Sequence, residues 1–302
     1  METGPRLATS FTFNAIDGPG PEQVFGDFVS SGFGITGLRS FFDDFPVWRE
    51  ASGARIRRIG AFVGDKLVAT AALRYGQLRL GESQTAIAVV GCVVTDAEYR
   101  GQGLASRAVT ELLAEATSGG AAIAVLFGSE ASLYSRLGFR YAGVQERVGL
   151  DTLSLPQSRG FPEVQRGWKP NLFECLQARK GGLVLAPSDA QWVSRHLNSE
   201  WFSMGDYNHP TAYACLGKGI DLAGIVHEWG GDSEALQGLL SQLREERSGL
   251  QIIGSPDQLR SAGIYSEQSL KEPLCMAKSL RTEWGEAVLA SPDFWLWGLD
   301  GA

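Results

Sequence analysis

AIAVVGCVVTDAEYRGQGLASRAVTELLAEATSGGAAIAVLFGSEASLYSRLGF, residues 86–139, is the stretch that organises the chain. Ala86 to Val94 is an unbroken apolar run of strand length, rich in Val, and it stops at the turn-prone Thr95-Asp96. It reads as a buried strand. Beyond it comes Arg100-Gly101-Gln102-Gly103, and from Leu104 the apolar residues recur at 105, 108, 109, 112, 113 and 116, the spacing of one helix face. Ser118-Gly119-Gly120 ends that helix, Ala121 to Phe127 is the next strand, and Glu130 to Arg136 is a short helix stopped by Gly138.

A glycine-rich loop between a buried strand and a helix start exposes free backbone N–H groups at the positive end of the helix dipole, where phosphate is the natural ligand. Gly101 and Gly103 keep side chains out of the way, and Arg100 adds a permanent positive charge with forked donors. Taken alone, Arg-x-x-Gly-x-Ala is more often an ordinary strand-to-helix turn, since short motifs match by chance. A dinucleotide-binding turn fails because the third glycine of G-x-G-x-x-G is Ser106 and no acidic residue closes a second strand about twenty residues on. The chain has no G-x-x-x-x-G-K-[ST] phosphate loop either.

In context the pattern resembles the acyl-CoA-binding signature of the GNAT superfamily of N-acetyltransferases, [Q/R]-x-x-G-x-[G/A], here Arg100-x-x-Gly103-x-Ala105. Leu133-Tyr134-Ser135-Arg136-Leu137-Gly138-Phe139 is similar to the family's Y-x-x-L-G-F element. The resemblance covers roughly the first half of the chain, and GCVVTDAEYRGQGLAS is also similar to tandem members of the Eis type. It implies an α+β (α/β) fold, a central mixed sheet flanked by helices, followed by a second degenerate GNAT-like domain. It implies acetyl-CoA as co-substrate, with Val93, Val94 and Thr95 pairing the pantetheine arm and Arg100, Gly101, Gln102, Gly103, Leu104, Ala105 and Ser106 holding the pyrophosphate. Tyr134 matches the family's tyrosine near the cofactor sulfur and is expected to be the general acid; the plain alternative is a helix tyrosine packed on the sheet.

Composition sets the bounds. At 302 residues, 44% hydrophobic and 20% charged, the chain is long enough for two globular domains. No stretch approaches the roughly twenty apolar residues of a membrane span, and METGPRLATS lacks a signal-peptide core, so no membrane partner and a cytoplasmic location are expected. Cys92, Cys175, Cys215 and Cys275 stand far apart without C-x-x-C or a nearby His, which predicts reduced thiols and no metal site. Residues 1–150 hold 14 Lys and Arg against 15 Asp and Glu, and the rest 13 against 19. Acidity concentrated in the second half argues against nucleic acid and suits a cationic amine.

Along the chain, Pro21 to Phe33 and Leu38 to Glu50 read as short helices. FFDDFPVWRE interleaves Phe41, Phe45 and Trp48 with Asp43 and Asp44, an aromatic and carboxylate wall suited to an amine substrate or else an amphipathic helix end. Ala54 to Val63 and Leu67 to Leu80 form a hairpin around Gly64-Asp65-Lys66, with Arg55, Arg57 and Arg58 as solvated charges, and Arg140 to Leu150 gives the last strand of a first domain, 1–150. Residues 151–171, rich in Pro and Gly, read as a linker to a domain over 172–302. There, Gly182 to Ala186 and Ala212 to Leu216 read as strands and Ser188 to Asn198 as a helix. Asp221 to Trp229, Asp232 to Arg247, Leu250 to Ile253 and Asp257 to Ala262 then repeat the order strand, helix, strand, helix without the phosphate signature. Seven of the eight Trp lie in this half, fitting core, ligand wall or a homo-oligomer interface.

The base is not legible. Many members of the resembled family carry a Glu on the central strand, but Ala86 to Val94 has none. Glu130, Asp43, Asp44, His196, His209, His227 and, by resemblance to the Eis type, the terminal carboxylate of Ala302 are candidates, alongside water. An amine acceptor also sheds its proton on desolvation, which makes a dedicated base dispensable. The expected activity is direct acetyl transfer to a primary amine of a small molecule or peptide; the alternative is a non-catalytic acyl-CoA-binding or partner-binding module.

Overall fold

A computed structural model describes residues 10–37, 39–128, 130–219 and 221–301; expectations for residues 1–9, Leu38 and Ala302 lie outside them. The first half contains β1 (Thr12–Ala15), α1 (Pro19–Gly32), α2 (Phe41–Asp44), β2 (Ile56–Val63), β3 (Lys66–Leu80), β4 (Ser83–Thr95), α3 (Leu104–Ser118), β5 (Ile123–Leu126), α4 (Ala131–Arg136) and β6 (Arg140–Gly149). The second contains β7 (Gln165–Arg166), α5 (Pro170–Gln177), α6 (Ala190–Val193), β8 (Glu200–Gly205), β9 (Pro210–Leu216), β10 (Ile225–Gly231), α7 (Ser233–Glu246), β11 (Gln251–Gly254), α8 (Pro256–Ser261), β12 (Leu270–Ser279) and α9 (Thr282–Ala290).

These strands form one twelve-stranded mixed sheet in the order β1-β2-β3-β4-β5-β12-β6-β11-β10-β9-β8-β7. Ile87 to Val90 are buried and run parallel to Ile123–Leu126 of β5, as an apolar run covered on both faces requires. On one face α3 lays Leu104, Ala108, Val109, Leu112, Leu113 and Ala116 towards the sheet, and most of them meet Leu73, Ala88, Val90 and Ala124. On the other, Phe25, Val29, Phe41 and Trp48 share a core with Leu172, Phe173, Trp192 and Trp201 of the second half. The outermost strands, β1 and β7, have four and two residues, which keeps the sheet edges short.

The two halves exchange strands at the centre. β6, expected to end a first domain, makes no ladder with β5; it pairs with β11 through Val148↔Ile252 and with β12 through Tyr141↔Met276. β12 takes the place beside β5, with Leu126↔Met276 and Ile123↔Ser279. The sheet therefore does not divide at residue 150. The expected linker is also packed structure: Leu153 and Val164 are buried, Ser241 donates to the Pro156 carbonyl at 2.8 Å and Arg244 to the Leu153 carbonyl at 2.8 Å. Residues 1–150 expressed alone should fail to give a dispersed spectrum by NMR, because β5 loses β12 and β6 loses both partners, whereas co-expression with 151–302 should restore a soluble pair. A well-folded 1–150 fragment would contradict the exchange.

Elsewhere the expected Leu38–Glu50 helix is a single turn, since Pro46 breaks it into 3-10 turns. Gly182–Ala186 forms only an isolated bridge, Leu78↔Leu183, and the Ser188–Asn198 helix shrinks to α6.

Candidate active site

β4 pairs with β3 along its length but with β5 only over Ile87–Val90, so Gly91 to Thr95 have no strand on that side. The divergence is built into the backbone. Ala72 faces Gly91 while Thr70 faces Val94, which places one extra residue in β4, and Cys92 adopts φ 55, the only positive φ of a non-glycine among the described residues. A bulge of this kind bends the strand and increases its twist. Thr70 Oγ1 donates to the Cys92 carbonyl at 2.8 Å and holds it there.

Past Thr95 the chain turns under Asp96, whose side chain accepts from Glu98 N at 3.0 Å and pairs with Lys66 at 3.0 Å. Arg100 Nε donates to the Thr95 carbonyl at 3.2 Å, folding the loop back over the strand end. Gly101 and Gly103 both have φ +77, a left-handed conformation that side chains resist, and open space surrounds the position of each missing Cβ. Gly103 is the N-cap of α3 and no side chain bonds the first amides of that helix. Those amides are free for an anion. α7 in the second half differs: Asp232 Oδ1 accepts from Glu234 N and Ala235 N, both at 3.0 Å.

Val93, Val94, Thr95, Arg100, Gly101, Gly103, Leu104, Ala105 and Ser106 line one cavity of about 610 Å³, and exposed Gln102 sits in the same loop without lining it. Tyr134, on α4, closes the far wall. It is buried, its ring meets Phe139 edge-on with centroids 6.1 Å apart, and its hydroxyl makes no hydrogen bond to a described residue. Burial, and then the charge of Glu130, push its phenol above the ordinary value of 10.0, so it carries its proton at neutral pH. Five lining residues were not singled out in sequence for this cavity: Gly32, Phe33, Tyr99, Leu133 and Arg136. Gly32 and Phe33 come from the distant end of α1, while Tyr99, Leu133 and Arg136 flank Arg100 and Tyr134 in sequence.

The proposed substrate wall needs correction. Phe41, Phe45, Trp48 and Asp44 are buried and none lines this cavity. The aromatic rings pack into the core shared with Trp192 and Trp201, which is what an amphipathic helix end does. Asp43 accepts from Ser40 N at 2.8 Å as a cap, and Asp44 is held by Arg39 and Asn198. Of the base candidates, Glu130 lines the cavity and has no ion-pair partner among the described residues, whereas His209 is exposed between β8 and β9, far along the sheet.

His196 and His227 are buried; His196 Nδ1–H donates to the Asp44 carbonyl at 2.9 Å and His227 Nε2–H to the Gly217 carbonyl at 3.0 Å. Burial first, then the Lys218 charge, lower both, His196 well below 6.5 and His227 to about 3. Below pH 6.5 the unfolded chain takes up protons that the folded chain refuses, so stability held above that pH is lost as pH falls towards the folded values. Glu228, raised by burial, opposes this with the reverse sign above its ordinary 4.5. With two such histidines set against one carboxylate, Tm is expected to fall between pH 7 and 5, and His227→Gln should shrink the fall; equal Tm at the two pH values would refute it.

Among the described residues no group of three His, Cys, Asp or Glu is placed to hold a metal, and no helix is long and apolar enough to cross a membrane. Residues 23–142 match the family described as "Acetyltransferase (GNAT) domain". No curated protein matches the sequence. A GCN5-related N-acetyltransferase from Anabaena variabilis superposes with a TM-score of 0.65 at 17% identity, over 90% of this chain and 73% of that one. Eis1 from Mycobacterium abscessus gives 0.61 at 14% identity, over 90% and 74%. A tandem GNAT protein from the clavulanic acid biosynthesis pathway gives 0.53 at 11% identity, over 90% and 99%. Residues 23–142 thus match a GNAT acetyltransferase domain, and the chain shares its fold with Eis-type and tandem GNAT proteins.

Proposed function

We propose that this protein is an acetyl-CoA-dependent N-acetyltransferase that moves the acetyl group directly to a primary amine of a small molecule or peptide, with the chemistry in the β4–α3–α4 cleft. The observation that carries this reading is the convergence on one cavity of an open strand edge, an uncapped helix N-terminus behind two left-handed glycines, and a protonated buried phenol.

The cleft fits acetyl-CoA. Arg100 and the amides of Gly101 to Ser106 would hold the pyrophosphate, and Val93 to Thr95 would offer the unpaired edge of β4 to the amide groups of the arm. Bound there, acetyl-CoA supplies the acetyl group as a thioester. Tyr134 holds a proton at its Oη for the departing sulfur, and burial keeps it in place at neutral pH. The acceptor amine loses its own proton on leaving water, with Glu130 the carboxylate that lines the cleft.

Arg100→Ala should weaken acetyl-CoA binding about tenfold through loss of a charge-assisted contact. Gly103→Val should abolish it, because a branched side chain resists φ +77 and covers the amides. Calorimetry checks both. Thiol release against polyamines, aminoglycosides, amino acids and peptides tests the reaction: turnover on one amine class establishes it, and cofactor binding without turnover on any of them leaves a binding module instead.

A further inference from the structure

The second half keeps a cleft where its phosphate loop is absent. β10 pairs with β11 only at Ile225 and Val226, and Glu228 to Gly231 lack a strand on that side. The register shifts at His227 as it does at Cys92 in β4. In chain order α7 follows β10 as α3 follows β4, α8 follows β11 as α4 follows β5, and the ends of α5 and α1 line the two cavities. Between them lies a second cavity of about 480 Å³, within the roughly 300–1,000 Å³ of small-molecule sites. Acetyl-CoA does not suit it: the Asp232 carboxylate already occupies the first amides of α7 and would repel a pyrophosphate.

The lining is aromatic and apolar, with Trp229, Trp297, Leu236 and Ala262. Most of its polar groups are satisfied internally. Trp229 Nε1 donates to the Ile253 carbonyl at 2.7 Å, Trp297 Nε1 to the Lys180 carbonyl at 3.1 Å, and Gln258 and Ser261 bond their own neighbours. The groups left over are donors. Tyr213 is 3% exposed and its hydroxyl has no described partner; Lys180 is exposed and pairs with no described carboxylate; the Nε–H of buried Arg179 has no acceptor. Donors without acceptors above an indole-lined floor ask for an anionic head on an apolar body.

We propose that the cavity between β10, α5, α7 and α8 is a second ligand site, separate from the acyl-transfer cleft, that takes a small carboxylate bearing an aromatic or branched apolar body. Tyr213 and Lys180 receive the carboxylate, and Trp229 and Trp297 face the body.

Tryptophan fluorescence and calorimetry on the full chain test this with phenylacetate and indole-3-acetate, and with neutral phenylacetamide for comparison. Both carboxylates should bind at one site per chain and more tightly than the amide, and saturating acetyl-CoA should leave them bound. Lys180→Glu should weaken them about tenfold or more. Ala178→Phe, placed at the exposed end of α5 where it fills the cavity without entering the core, should abolish binding with acetyl-CoA affinity unchanged. The proposal is overturned if neither carboxylate binds at millimolar concentration, if phenylacetamide binds equally well, if Ala178→Phe binds as the parent does, or if acetyl-CoA displaces the carboxylates.

Discussion

Tyr134→Phe is expected to lower the acetylation rate by about 10²-fold or more while leaving acetyl-CoA affinity within about threefold, the range of effect for loss of a positioned general acid. The split follows from position. The ring is fixed by packing against Phe139 and under Gly128, so Phe keeps the wall of the cleft and only the hydroxyl is lost. Loss of rate at constant cofactor affinity separates proton donation from a structural role, which would shift both. The pH profile adds a second reading: the parent should lose activity at alkaline pH as the raised phenol ionises, and the variant should lack that limb. A rate within threefold of the parent would remove Tyr134 from the chemistry.

Arg179→Met is expected to cost about 3–5 kcal/mol of stability, because it strands two carboxylates in the interior. Arg179 Nη1 lies 2.8 Å from both oxygens of Glu228, and Nη2 binds Asp300 and the Leu183 carbonyl. Both partners are fully buried. They also hold the last described stretch of chain: Glu228 accepts from Leu299 N at 2.9 Å, and Asp300 from Trp297 N at 2.9 Å. Lys218 Nζ donates to the Gly298 and Gly301 carbonyls beside them. Tm should drop by roughly 10 °C at that cost. Adding Glu228→Gln should recover part of it, since one stranded charge is removed; a single variant within 2 °C of the parent would show that the cluster contributes little.

The first half was legible because its chemistry is local. A Val-rich run, two glycines and a periodic helix follow each other in sequence, and the structure places them as β4, the loop and α3. What escaped reading depends on distant partners. β12 contains Pro273 and two lysines, which mark a weak strand in isolation. It becomes a central strand because β5 and β6 both pair with it. β8 is likewise short and known only through β9 and β7. Phe41 and Trp48 look the same in sequence whether they face a ligand or Trp192, and only the packing of the second half decides it. The repeat of element order in the second half was visible, and its missing phosphate signature has a structural counterpart in the Asp232 cap.

Calorimetric titration of acetyl-CoA into the intact protein addresses the central claim, one acyl-CoA cleft in the first half and none in the second. The account predicts one site per chain, lost in Gly103→Val while the variant stays folded. Two sites per chain, or one site that survives Gly103→Val, would contradict it.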